Sequence, residues 1–341
     1  MGNTSQNNDD KDYYFELGIS ELDSGNFKNA IRAFKKAITI NPDDQRLYNN
    51  LGIAYELSQD FEKARSAYEK AIDINPENSS ILNNLAGLSL LEGKPQNAAI
   101  LYDSAISADP LYVEPYMNVA RMFIEMREYS SAEPYVKKVL EIEPENAEAH
   151  NLMGVITSIT ERSEEAVAHF QSAIRSDANQ ASVFSNLGAA LRNIGDKKRA
   201  IIAFEKSNEL SPNSLSILNN LGVLYRETGN TDNAKHFFEK AIKFYPDYPF
   251  PYLNMAEQYI EIEDYDNALD NLKKYSSIVP LDMDILFKTC GIARMANKLS
   301  EVSGEMELFV EESEPTDPRA ETIKEWLKTL RPKRSRKVKN K

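Results

Sequence analysis

Residues 45–78, QRLYNNLGIAYELSQDFEKARSAYEKAIDINPEN, hold two amphipathic helical patterns joined by a tight turn and closed by a proline. Tyr48, Leu51, Gly52 and Tyr55 stand at i, i+3, i+4 and i+7, which is one face of a helix. Ala64, Tyr68 and Ala71 mark one face of a second helix. Gln59 lies between them, at the turn, where a left-handed residue often ends a helix. Pro76 stops the second helix, because proline lacks an N–H and pulls the residue before it out of the helical region.

The same punctuation recurs along the chain. Pro42, Pro76, Pro110 and Pro144 are each 34 residues apart, as are Pro212, Pro246 and Pro280. The one missing member is Ala178. A fixed period of this size marks a stacked array of helical hairpins, each with a helix A and a helix B. With the proline at position 32 of each unit, position 8 reads Gly18, Gly52, Ala86, Ala120, Gly154, Gly188, Gly222, Ala256 and Cys290. Position 20 is Ala30, Ala64, Ala98, Ala132, Ala166, Ala200, Ala234 and Ala268, then breaks at Val302. Position 24 is Phe34, Tyr68, Tyr102, Val136, Phe170, Phe204, Phe238, Leu272 and Met306. Small residues at positions 8 and 20 let two helices approach, and the large residue at position 24 fills the space between units. Gly25, Gly93, Gly195 and Gly229 occupy the turn place of Gln59.

These columns resemble the tetratricopeptide repeat family over about residues 11–314, in close to nine units starting at 11, 45, 79, 113, 147, 181, 215, 249 and 283. The resemblance implies an all-α, right-handed superhelical solenoid with helix A on its concave side. The ninth unit is degenerate, with Thr289, Cys290 and Val302 where Leu, Gly or Ala, and Ala are expected. Glu21, Ser89 and Thr157 stand at position 11, where a large apolar residue is usual. Pro95 and Pro134 are expected in the first turn of a B helix, and Pro115 and Pro251 at the start of an A helix, where a missing N–H costs little.

The ends of the chain read differently. Residues 1–10 are polar and are expected to be a disordered leader. They have no basic start and no apolar stretch, so they do not read as a secretory signal, and Gln6 breaks the myristoylation pattern that Gly2 suggests. Residues 317–331 read as a short amphipathic helix, with Asp317 as cap, Pro318 at its first position, and an apolar face of Ile323, Trp326, Leu327 and Leu330. An open solenoid exposes the core face of its last unit, so this helix is expected to cover it. The segment 332–341 reads as a basic disordered tail. From Arg331 onward it carries seven Lys or Arg and no acid, while residues 1–330 carry −20. The acidic body disfavours nucleic acid, except through the tail. No run of about 18 apolar residues offers a membrane span, and the single cysteine, Cys290, requires no oxidising compartment. The expected location is the cytoplasm.

Chemistry-bearing motifs are not found. His150, His169 and His236 do not stand at metal-ligand spacing with helpers, and no phosphate-binding glycine loop or nucleophile motif is present. No enzyme activity, cofactor or metal is expected. Function is expected instead from position 6 of helix A, which is Asn50, Asn84, Asn118, Asn186, Asn220 and Asn254, with gaps at Glu16, Leu152 and Lys288. Asparagine inside a helix costs up to about 0.7 kcal/mol relative to alanine, so six of them need a reason. Each amide offers donor and acceptor, and a row of them suits the backbone of an extended peptide. This row resembles the repeat region of O-linked N-acetylglucosamine transferases, whose asparagines hold substrate polypeptide. No room for a catalytic domain follows residue 314 within this sequence. A second reading is that the asparagines bond neighbouring helices. Arg192 and Arg226, at position 12, are expected to reach acidic groups of the ligand. The chain therefore reads as a protein-interaction scaffold with a peptide in its groove. The alternatives are a substrate-recruiting subunit of a separately encoded enzyme, such as a glycosyltransferase, and a nucleic-acid-associated factor using its tail.

Overall fold

The computed structural model describes residues 3–177 and 179–330, with side chains from residue 10 onward. The expected tail, 332–341, lies outside the described residues. The described residues are all-helical, without a strand. None of their helices is long and apolar enough to cross a membrane.

The chain divides into two compact units, Met1–Ala178 and Asn179–Lys341. The division falls where the proline period lapses. The first unit holds α1 (Asn3–Asp23), α2 (Phe27–Ile40), α3 (Gln45–Leu57), α4 (Phe61–Ile74), α5 (Ser79–Leu91), α6 (Pro95–Ala108), α7 (Val113–Glu125), α8 (Tyr129–Ile142), α9 (Ala147–Ile159) and α10 (Ser163–Ser176). The second holds α11 (Ala181–Asn193), α12 (Lys197–Leu210), α13 (Leu215–Glu227), α14 (Thr231–Phe244), α15 (Phe250–Glu261), α16 (Tyr265–Ile278), α17 (Met283–Met295), a 3-10 turn (Leu299–Val302), α18 (Ser303–Glu312) and α19 (Pro318–Leu330). Within each unit every A helix packs on its own B helix, and that B helix on the next A helix. Neighbouring A helices also meet directly, α1 with α3, α3 with α5, α5 with α7, and α13 with α15.

Positions 8 and 24 work as a pair. A Cβ added to Gly52 or Gly154 would lie 2.5 Å from the ring of Tyr68 or Phe170 in the same hairpin, inside any real contact distance. Gly18, Gly188 and Gly222 lie equally close under Phe34, Phe204 and Phe238. Alanine at position 8 stands with the smaller Val136 and Leu272, and Cys290 with Met306. Tyr102 shares a buried cluster with Ala86, and its hydroxyl lies 3.9 Å from where a Cβ on Gly87 would sit. Each of these rings is at most 1% exposed, and burying one contributes about 1.5–3 kcal/mol.

The turns follow a second rule. Gly25, Gln59, Gly93, Arg127, Glu161, Gly195, Gly229, Glu263 and Asn297 all have positive φ between A and B. The residue after each closes a loop back to the A helix, as in Asp60 N–H to Tyr55 O at 2.9 Å and Lys94 N–H to Ser89 O at 2.8 Å. Side-chain caps follow at position 16, where Asp60, Asp196, Asn230 and Asp264 start B helices. They recur at position 34, where Asp44, Asn78, Asn146 and Asp282 start A helices. Each such cap stabilises its helix by about 1 kcal/mol.

Residues 3–10, expected as a leader, fall within the span of α1 (Asn3–Asp23). One expectation, the place of Pro134, needs correction. Pro134 is the sixth residue of α8, beyond its first turn, so it leaves a carbonyl of the preceding turn without its amide partner. At the other end, the ninth B helix starts as the 3-10 turn, and α19 packs over it. Val302, Met306, Phe309 and Ile323 are fully buried there. Trp326 stacks on Phe287 with ring centroids 6.4 Å apart, and Arg294 covers its ring at 4.9 Å. Asp317 accepts the Arg319 N–H at 2.8 Å, capping α19.

Candidate binding face

The six position-6 asparagines lie on α3, α5, α7, α11, α13 and α15, and all are half-buried. Asn84, Asn118 and Asn254 reach back to the preceding repeat. Asn84 Nδ2 donates to Asn49 Oδ1 at 3.0 Å, Asn118 Nδ2 to Asn83 Oδ1 at 2.9 Å, and Asn254 Nδ2 to Asn219 Oδ1 at 3.0 Å. Position 6 thus bonds position 5 of the A helix before it. Asn50 follows a repeat whose position 5 is Phe15, and its amide turns instead onto its own helix, donating to Arg46 O at 2.8 Å. Asn220 follows Ser185, and its Oδ1 accepts from Arg192 Nη1 at 3.3 Å.

This amide zipper explains the asparagines. A hydrogen bond of this kind contributes about 0.5–1.5 kcal/mol, which offsets the helix cost. An amide has two N–H groups and a carbonyl oxygen with two lone pairs. Asn84 and Asn254 each commit one N–H to the zipper. The rest of the amide is held in a fixed orientation at the protein surface.

A family model described as the cilia and flagella-associated protein 70 C-terminal domain matches residues 20–222, and a tetratricopeptide repeat model matches residues 216–248. The chain belongs to this family of tetratricopeptide-repeat proteins. No curated protein matches it significantly. Among solved structures, the tetratricopeptide-repeat protein YrrB, described as having an unusual peptide-binding site, is 24% identical, with a TM-score of 0.50 over 55% of this chain and 96% of that one. PilF of Pseudomonas aeruginosa is 20% identical, with a TM-score of 0.53 over 59% and 92%. A chain of the APC/C hetero-tetramer Cut9–Hcn1 is 19% identical, with a TM-score of 0.52 over 67% and 45%. At these identities the likeness is one of fold.

In this tetratricopeptide array the arginines are already engaged. Arg192 Nη2 lies 3.2 Å from Glu227 Oε1, and Lys197 approaches the same carboxylate at 3.1 Å. Arg226 Nη1 lies 2.7 Å from Glu257 Oε2 and 3.3 Å from Asn254 O. Lys288, the gap in the asparagine column, takes the other oxygen of Glu257 at 3.3 Å. Burial pulls the Glu257 carboxyl up, but hydrogen bonding and charge from Arg226 and Lys288 outweigh it and hold it below the usual carboxylate range. Arg192 and Arg226, expected to reach acidic groups of a ligand, are paired in this structure with Glu227 and Glu257. In the first unit Arg121 does the same work, 2.7 Å from Asn118 Oδ1 and 2.6 Å from Glu148.

The sequence reading missed three features of this region, the first being which residues the asparagines bond in the neighbouring helices. The zipper was legible as a spacing of 35, one period plus one, between position 5 and the next position 6. The second is Glu56 at position 12, whose carboxylate accepts the Tyr68 hydroxyl at 2.9 Å. The third is a histidine pair, with His150 Nδ1 3.0 Å from His169 Nδ1 and His150 Nε2 3.0 Å from Pro144 O. Burial and the neighbouring His150 push the His169 pKa down. Among the described residues no group of three or more His, Cys, Asp or Glu is placed to hold a metal. Cys290 is buried, which pushes its thiol up to about 12 and makes it a packing residue rather than a nucleophile.

Proposed function

We propose that the chain is a non-enzymatic protein-interaction scaffold that takes an extended segment of a partner protein along its A-helix face. The observation that supports this reading is the amide zipper. It orients the half-buried Asn84, Asn118 and Asn254 and leaves each with further hydrogen-bonding capacity, so a bound backbone meets groups that lose little freedom on binding. Asn50, Asn84 and Asn118 are the proposed contacts in the first unit, and Asn186, Asn220 and Asn254 in the second. Arg192 and Arg226 position the row. The fold that the chain shares with YrrB, a protein described as having a peptide-binding site, agrees with this reading.

The test is affinity capture with three baits from a lysate of cells that make the protein, followed by peptide mapping of what is retained. One bait is the native chain. The second carries Asn186→Ala, Asn220→Ala and Asn254→Ala. The third carries Asn219→Ala, which removes the Asn254 zipper acceptor but keeps all six position-6 amides. The reading expects partners on the first bait, their loss from the second, and weakened retention on the third. Equal retention on all three, with matching melting temperatures, would make the asparagines purely structural.

A further inference from the structure

Position 12 of helix A lies beside the asparagine row, since Arg192 at that position reaches Asn220 at position 6 of the next repeat. At position 12, Arg192 pairs with Glu227 and Arg226 with Glu257, which Lys288 also meets, while Arg294 lies over the Trp326 ring; at position 9, Arg121 pairs with Glu148. Glu56 has neither kind of partner. It holds position 12 of α3, it is half-buried, and among the described residues no Lys or Arg lies within ion-pair distance of it. Its partner is the hydroxyl of Tyr68, whose ring is fixed against Gly52. Tyr102, from the next repeat, is also close enough to feel its charge, together with that of Arg121. The result is a carboxylate held by a rigid hydroxyl and backed by buried rings, with no hydrogen bond to its second oxygen among the described residues.

Burying an ionised group without a counter-charge is costly, and a cation brought to it recovers that cost. Burial accordingly raises the Glu56 carboxyl above the usual range, against the opposing hydrogen bond from Tyr68. We infer that Glu56, set in place by Tyr68, is the receptor for a lysine or arginine side chain of the segment bound along the first unit. This inference rests on the peptide reading and adds to it the charge of the ligand. It reverses the acidic preference that the arginines suggested in the sequence.

The probes are four capped decapeptide pools with the central residue fixed as Lys, Arg, norleucine or Glu and the other positions randomised. Binding is read by fluorescence anisotropy on the full chain and on Glu56→Gln, Tyr68→Phe and Asn84→Ala, each checked by thermal melting. Glutamine still accepts the Tyr68 hydroxyl, so Glu56→Gln keeps the local packing. The native chain should bind the Lys and Arg pools roughly tenfold tighter than norleucine, the equivalent of one charge-assisted contact. Glu56→Gln should erase that difference and leave norleucine binding unchanged, and Tyr68→Phe should reduce it. A Lys preference that survives Glu56→Gln, or binding that depends on Asn84 but is blind to charge, would overturn the role of Glu56 alone. Absence of binding by every pool, or indifference to Asn84→Ala, would overturn the peptide reading with it.

Discussion

The repeat at 215–248 and the repeat that starts at 283 solve the same packing problem with different volumes. In the first, Gly222 lies directly beneath the ring of Phe238, and the next repeat covers that ring. In the second, Cys290 replaces the glycine, Met306 replaces the ring, and α19 closes the end in place of another repeat. The quantity preserved is the combined size at positions 8 and 24, and neither residue alone defines a repeat. A ring demands glycine in five of its six occurrences, and the smaller Val136, Leu272 and Met306 stand opposite alanine or cysteine.

The comparison can be broken most severely at its large member. Phe238→Ala should destabilise the second unit by about 3–5 kcal/mol, read by denaturant unfolding with hydrogen exchange to localise the loss. Ile323→Ala, on the buried face of the capping helix α19, should cost about 2–5 kcal/mol, with hydrogen exchange confined to α17, α18 and α19. If that loss instead spreads through α11 to α14, the cap is not a local closure. The volume argument is sharpened by a double-mutant cycle. Gly222→Ala should cost about 1–3 kcal/mol by overpacking, and combined with Phe238→Leu, which mimics the pair Ala256 and Leu272, the loss should fall short of the sum of the singles by about 1 kcal/mol or more. Strict additivity would refute pairing. A smaller effect is expected for Asp264→Ala, which removes a B-helix cap at about 1 kcal/mol. The smallest is a gain. Glu263→Gly, at a positive-φ turn, should raise stability by about 1 kcal/mol, because a side chain there is strained and glycine is not.

Most of the architecture was legible because it is steric and periodic. Pro76, Gly52, Ala64 and Tyr68 each have one reason to be where they are, and the reason repeats. The face was less legible because its chemistry lies between repeats. Asn84 looks like its counterparts until it is seen to bond Asn49, and Arg226 looks free until Glu257 is placed against it. His150 and His169 are 19 residues apart and meet only when α9 folds on α10. Glu56 gave no signal in sequence, because what distinguishes it is the lack of a neighbour that Arg121, Arg192 and Arg226 all have.

The zipper also bears on how such a chain changes length over generations. Its bonds run one way, from position 6 back to position 5 of the repeat before. Repeat 79–112 owns both halves of the joint, since Asn84 gives and Asn83 receives. An in-frame duplication of that segment would place a new Asn84 against the old Asn83 and a new Asn83 against Asn118, leaving no amide stranded. A duplicate of the repeat at 11–44 would instead bring Phe15 to the joint, where no amide can be received. The array thus carries, in its own hydrogen bonds, a rule for which of its parts can be copied.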